Sequence, residues 1–154
     1  MSENYYADSS ALVKRHVAEI GSRWIQNEFA PDSLNKIFTA KLSIVEVLSA
    51  FNRRRRDNTL TATDYTQISV EFLEAVENEY QILELSDAIL LEAQRLLETH
   101  PLRAGDAVQL ASATLANAQL QSANLPALIF LASDARLLTA AKGEGLQTDD
   151  PQNH

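Results

Sequence analysis

Leu128-Ile129-Phe130-Leu131-Ala132-Ser133-Asp134 opens with an unbroken apolar run, Leu128 to Leu131, and ends on an acid. Four large apolar residues in succession suit a strand covered on both faces, the environment of a parallel sheet flanked by helices. Leu137 and Leu138 lie just beyond Asp134, so a helix is expected there. The same order of strand, acid and helix opens the chain: Tyr5 to Ala7 stops at Asp8, and Ser9-Ser10 lead into an apolar helix. Ile37 to Leu42 and Gln81 to Leu85 read as two further strands, and Leu146 to Thr148 as a short edge. Between them Ala107, Leu110, Ala111, Leu115 and Ala118 repeat at helical spacing, as do Ile89, Leu90, Ala93, Leu96 and Leu97. Two more stripes, Ile44-Val47-Leu48-Phe51 and Tyr65-Ile68-Phe72-Val76, fit between the second and third strands. Two helices in one interval imply a helical hairpin projecting from the core. Strands alternating with helices predict an α/β fold in three layers: a mostly parallel sheet of four to five strands with helices on both faces. No linker or repeat interrupts it, so residues 1–154 are expected to form one domain.

Composition agrees with that reading. Ala and Leu contribute 22 residues each, against 8 for Gly and Pro together, which excludes collagen-like and low-complexity chains. The absence of cysteine excludes a disulfide scaffold, a thiolate zinc site and a cysteine nucleophile. Met1 to Asp8 lacks the basic and apolar regions of a signal peptide, and no apolar run nears the roughly 18 residues of a membrane span. A cytoplasmic protein without membrane contact is therefore expected. The net charge of −8 means that a polyanion would have to be handled through metal ions or a local basic patch.

Asp8 and Asp134 end strands, Glu46 falls in the first turn of the helix after the second strand, and Asp106 opens the helix from Ala107 onward. In parallel sheets ligands gather beyond the carboxyl ends of the strands, so all four acids can share one crevice. Capping explains each Asp equally well when taken singly, because an Asp at a strand-to-helix junction accepts from free backbone N–H groups.

The residues that carry these acids resemble the PIN-domain nucleases, and among them the VapC-type toxins of toxin–antitoxin pairs. The pieces are Tyr6-Ala7-Asp8-Ser9-Ser10-Ala11-Leu12-Val13-Lys14, Ser43-Ile44-Val45-Glu46, Leu102-Arg103-Ala104-Gly105-Asp106-Ala107-Val108-Gln109-Leu110-Ala111 and Ser133-Asp134. Leu137 to Ala141 and Glu144-Gly145-Leu146 extend the likeness, which runs from Tyr5 to about Asp150. The resemblance implies that Asp8, Glu46, Asp106 and Asp134 are the catalytic, metal-binding acids of an endoribonuclease. It also implies products with a 5′-phosphate and a 3′-hydroxyl, an antitoxin partner and a homodimer. Carboxylates without clustered His or Cys suit Mg²⁺ or Mn²⁺ and disfavour zinc. This chain departs from the pattern twice. Many relatives have threonine where Ala132 stands, with Ser133 the adjacent hydroxyl here; relatives often have histidine at Gln109, a position not counted as catalytic.

Other residues are less specific. Arg53 to Arg56 is the only basic run, and successive helical side chains turn by about 100°, so the four cannot face one ligand. Arg53 lies seven residues beyond Glu46, on nearly the same face, and with Arg56 it is the candidate for contacts to RNA phosphate or an acidic partner. Lys14-Arg15-His16 reads as a solvated helix face, Trp24 as packing, and Gly21-Ser22 as a helix break with a new cap at Ser22. His16, His100 and His154 show no ligand spacing. A response-regulator receiver would also place acids at strand ends. It needs an acidic pair on the first strand and a lysine after the last, and this chain has neither. An RNA-processing nuclease outside a toxin system is the nearer alternative.

Overall fold

β1 (Asn4–Ala7) occupies the centre of a five-stranded sheet in the computed structural model, which describes residues 1–154. Its neighbours are β2 (Lys36–Ala40) on one edge and β4 (Leu128–Leu131) on the other. β3 (Tyr80–Leu83) pairs with β2, and β5 (Gln147–Asp149) with β4. Every pairing is parallel and the order is β3-β2-β1-β4-β5. The chain builds outward from β1 to β3, then crosses back to start β4 on the opposite edge. The switch point between β1 and β4 is where an open parallel sheet leaves a crevice beyond its carboxyl ends.

Side chains alternate along β1, so the sheet has two cores. Tyr5 and Ala7 pack with α1 (Ser9–His16), α2 (Ser22–Glu28), α3 (Leu42–Arg56) and α4 (Ala62–Asn78), through Leu12, Ile25, Val47, Phe51 and Phe72. Tyr6 packs on the other side with α5 (Asp87–Thr99), α6 (Ala104–Ser122) and α7 (Ala135–Gly143), through Leu96, Leu110 and Leu137. Burial on both faces is why the β4 sequence carries no polar alternation.

The expected hairpin is α3–α4, with its inner face docked. Phe51 and Phe72 are fully buried and meet edge to face at 5.9 Å, while the turn from Asp57 to Thr59 stands exposed. Several boundaries differ from the sequence reading. β2 stops at Ala40, and Leu42 starts α3 instead of extending the strand. β3 ends at Leu83, leaving Leu85 half-exposed, and β5 begins at Gln147, one residue late. The N-cap of α2 is Gly21, in the left-handed region, and Ser22 is the first helical residue. The Ser22 hydroxyl instead donates to the Val17 carbonyl and accepts from the Glu19 amide.

His16 is the conspicuous polar group in the helical layer. Its ring meets Phe51 and Phe72 edge-on, and its Nε2 is buried without a hydrogen-bond partner. Desolvation, assisted by the neighbouring Arg15 charge, lowers its pKa to about 4. Between that value and the ordinary value near 6.5 the unfolded chain binds more protons than the folded one, so stability rises with pH across this window. The contribution is complete above about pH 6.5 and is lost as pH falls towards 4. Denaturant titrations at pH 4.5 and 7 should show His16→Phe losing less stability on acidification than the wild type. Equal losses would mean that the imidazole titrates as if in water. Gly21 supplies a second test. It has φ +92°, and an added Cβ would collide with the Pro151 carbonyl. Gly21→Ala should cost about 2 kcal/mol or more, read as a Tm lower by at least about 4 °C.

Candidate functional site

Asp8 follows β1 directly and caps α1. Its Oδ1 accepts from the Ala11 amide at 3.0 Å and from the Ser10 hydroxyl at 2.6 Å. Asp134 does the same for α7 after β4, with Oδ1 accepting from the amides of Arg136 and Leu137. The capping reading therefore holds for both. All four bonds land on Oδ1, so each carboxylate has a second oxygen for another role. Ser10 also joins the two segments, since its hydroxyl accepts from the Ser133 amide at 3.3 Å.

Capping fails for Asp106. α6 begins at Ala104 with Arg103 as its N-cap, so Asp106 sits inside the first turn and caps nothing. Glu46 is likewise displaced from its expected place. α3 starts at Leu42 with no acid in its first turn, which puts Glu46 in the second.

Glu46, Asp106 and Asp134 line one concavity of about 390 Å³ at the carboxyl edge of the sheet, with Arg103, Gly105 and Arg136. Asp8 lies deeper, only 6% exposed. Burial pushes its carboxyl up to about 6, against the lowering effect of its Ser10 and Ala11 hydrogen bonds, and the charges of Glu46 and Asp106 push the same way as burial. Glu46 is also raised, by desolvation first and then by Asp106, while its Gln109 hydrogen bond pulls it down. Asp106 is raised by desolvation and by Asp134, with Arg103 and Arg136 opposing. The four acids thus act on one another in a chain, from Asp8 through Glu46 and Asp106 to Asp134.

An all-oxygen donor set with surplus negative charge fits a hard divalent cation in its chemistry. The side chains do not form a closed cage: no group of three or more His, Cys, Asp or Glu residues converges closely enough to hold a metal ion. Ala132 is fully buried in the core, and Ser133 Oγ is buried without a partner.

Glu46 also borders a larger groove of about 820 Å³ between α1 and α3, lined by Ser9, Ser10, Arg53 and Arg54. The four arginines do diverge. Arg53 faces the groove, Arg54 pairs with Glu19 at 2.8 Å, and Arg55 lies over the Tyr65 ring. Arg56 is exposed and does not line the groove, so its pairing with Arg53 as a ligand contact is not supported. The expected solvated face at Lys14-Arg15-His16 is also corrected. Lys14 is buried beside Glu19, and Arg15 bonds Glu79 and the Tyr80 hydroxyl. Arg136, two residues beyond Asp134, and Ser10, two beyond Asp8, also belong to the site, and their spacing from the acids is the sequence signal that marks them.

The family model described as PIN domain matches residues 5–142. No sequence match is found among curated proteins. Among solved structures, the chain is similar to PAE2754 from Pyrobaculum aerophilum at 18% identity and TM-score 0.62, covering 98% of this chain and 85% of that one. A toxin–antitoxin complex from Klebsiella pneumoniae aligns at 14% identity and TM-score 0.60, over 96% of this chain and 97% of the other. FitAcB from Neisseria gonorrhoeae aligns at 9% identity and TM-score 0.62, over 97% and 99%. These likenesses concern the fold.

Because Asp106 caps nothing and is repelled by Asp134, Asp106→Asn should leave thermal stability unchanged or raise it in metal-free buffer. Mn²⁺ should raise the Tm of the wild type by mass action and that of the variant less. Thermal denaturation of both proteins with and without Mn²⁺ makes the comparison; equal Mn²⁺ shifts would remove Asp106 from the site.

Proposed function

We propose, on the premise that this chain belongs to the PIN-domain family, that it is a metal-dependent endoribonuclease acting as the toxin of a toxin–antitoxin pair. The observation that carries this reading is the arrangement of four acids from four chain segments at the switch point of a parallel sheet, three of them lining one cleft. PIN domains are nucleases, and a cleft of carboxylates with no His or Cys among its lining residues suits phosphodiester hydrolysis.

Asp8, Glu46, Asp106 and Asp134 would hold Mg²⁺ or Mn²⁺, an ion that keeps several waters beside one or two direct carboxylates and so does not require a preformed cage. Such an ion, when bound, neutralises charge on the scissile phosphate and lowers the pKa of an attacking water. The chain's own part is to hold the carboxylates in place. Asp8 is fixed by its two Oδ1 hydrogen bonds, and Glu46 by an amide from α6. Arg103 and Arg136 on the cleft wall are placed to meet phosphate oxygens beside the acids. Arg53 extends the track along the neighbouring groove, where an RNA strand leaving the cleft would pass.

The partner side of the proposal rests on the family resemblance and on the Klebsiella pneumoniae neighbour, which is described as a toxin–antitoxin complex. A basic segment of an antitoxin would enter the same groove, where its Arg or Lys competes with metal for the carboxylates. A homodimer and a cytoplasmic location belong to the same reading. No helix is long and apolar enough to cross a membrane.

Purified protein should cleave RNA with Mg²⁺ or Mn²⁺, stop in EDTA, and lose about 100-fold or more of its rate in Asp106→Asn. Cleavage that continues in EDTA and in the variant would overturn the reading. Arg53→Ala should weaken RNA binding and reduce its salt dependence by about 0.7 in logarithmic slope, whereas Arg56→Ala should change neither. Fluorescence anisotropy against salt concentration measures both.

A further inference from the structure

Gln109 lies within α6 and is 2% exposed, yet all of its polar atoms are engaged. Its Oε1 accepts from the Tyr6 hydroxyl at 2.6 Å. Its Nε2 donates to Glu46 Oε1 at 2.6 Å and to Ser43 Oγ at 2.9 Å. Ser43 Oγ is 2.7 Å from Thr39 Oγ1, which is itself 2.7 Å from the Ala7 carbonyl. A hydroxyl has one proton and a carbonyl has none, which fixes the direction of the whole chain. Thr39 donates to Ala7, Ser43 donates to Thr39, and Gln109 donates to Ser43 and Glu46. The Glu46 carboxylate and Ser43, whose one proton goes to Thr39, can only accept here, so the amide nitrogen must face them and Oε1 must face the Tyr6 hydroxyl, which donates to it. The last acceptor, Ala7, is the residue before Asp8.

We infer that Gln109 is the positioning residue of the site: its amide fixes the Glu46 carboxylate on α3 relative to the end of β1 that carries Asp8. The inference rests on the nuclease reading only in taking Glu46 to be a cation ligand. Its physical basis is that both side chains are held from opposite layers of the fold and cannot adjust separately. Gly105, one turn earlier on the same helix face, supports the assignment, because a Cβ there would come within 3.1 Å of Glu46 Oε2. Glu46 is therefore given room on one side by the missing Cβ and held on the other by a directed donor. Partners outside the metal shell typically contribute about 10- to 100-fold in metal affinity or activity.

The test is a double-mutant cycle read by Mn²⁺ affinity in calorimetry or electron paramagnetic resonance, without turnover. Gln109→Met keeps the volume and removes the donor and the acceptor. It should weaken Mn²⁺ binding about 10-fold or more, and do little when introduced into Glu46→Gln. In cleavage assays the Gln109→Met defect should shrink at high Mn²⁺, with the KM for RNA unchanged. Ile25→Val, a truncation in the other core, should lower Tm without moving Mn²⁺ affinity. If Gln109→Met does not fold, Tyr6→Phe replaces it; that variant leaves Oε1 without its donor and the amide less firmly held, and should weaken Mn²⁺ binding in the wild type but not in Glu46→Gln. Unchanged Mn²⁺ affinity in a folded Gln109→Met or Tyr6→Phe protein, or an equal loss in both backgrounds, would overturn the inference. If Glu46→Gln alone binds Mn²⁺ as the wild type does, the assignment of Glu46 as a ligand fails instead, and the two failures are distinguishable.

Discussion

Pairing of β1 on both edges is the constraint from which the site follows. A strand with parallel neighbours on each side is desolvated along its length, and the residue that leaves it is desolvated with it. Here that residue is Asp8. Its burial raises its pKa before any other charge is considered, and the cap of α1 returns part of the cost through the Ala11 amide and the Ser10 hydroxyl. β4 leaves the sheet beside β1, so Asp134 must cap α7 within reach of the same crevice. The crossover that makes β4 the neighbour of β1 therefore does more to assemble the acids than any local sequence preference.

The acids that terminate strands were legible in the sequence because both signals involved are local. An apolar run that stops at Asp reads as strand, cap and helix whatever the rest of the chain does. Boundaries set by tertiary contacts were less legible. Leu42 continues an apolar stretch and looks like strand, but the chain turns at Lys41, whose amide bonds the Leu83 carbonyl. That turn shifts the start of α3 and with it the turn that holds Glu46. Asp106 looks like a helix opener in the sequence for a related reason. Arg103 has no side-chain oxygen with which to cap, so nothing in its identity announces that α6 begins there.

Gln109 was legible as a position and illegible as a role. Its partners Tyr6 and Ser43 are 103 and 66 residues away, and no spacing rule connects a glutamine to either. The arginine run shows the converse. Helical geometry alone required that the four could not face one ligand: Arg53 and Arg54 line the groove, Arg54 tied there to Glu19, while Arg55 lies over Tyr65 and Arg56 faces solvent. What helical geometry could not decide was which of them faced the cleft, because that depends on where α1 lies against α3.

The first turns of α6 concentrate the remaining design. Gly105, Asp106 and Gln109 are related by one, three and four positions, so all three approach the cleft from one side of a single helix. They make three different contributions: space for Glu46, a carboxylate, and a directed donor. A helix is stiff on the length scale of one turn, so these contributions move together or not at all. Like charge opposes bringing the acids together: Glu46 and Asp106 help to raise the pKa of Asp8, Asp106 that of Glu46, and Asp134 that of Asp106. Holding them therefore requires elements that cannot relax individually: a central strand, a buried amide, and a helix turn packed in one core and hydrogen-bonded to α3 in the other layer. The cluster persists because three of the four acids are anchored by interactions that the repulsion does not weaken. Asp8 and Asp134 are anchored by backbone amides, and Glu46 by Gln109, whose donor is itself aligned by Tyr6. Asp106 has neither kind of anchor and relies on its helix alone, with Arg103 and Arg136 offsetting part of the negative charge around it.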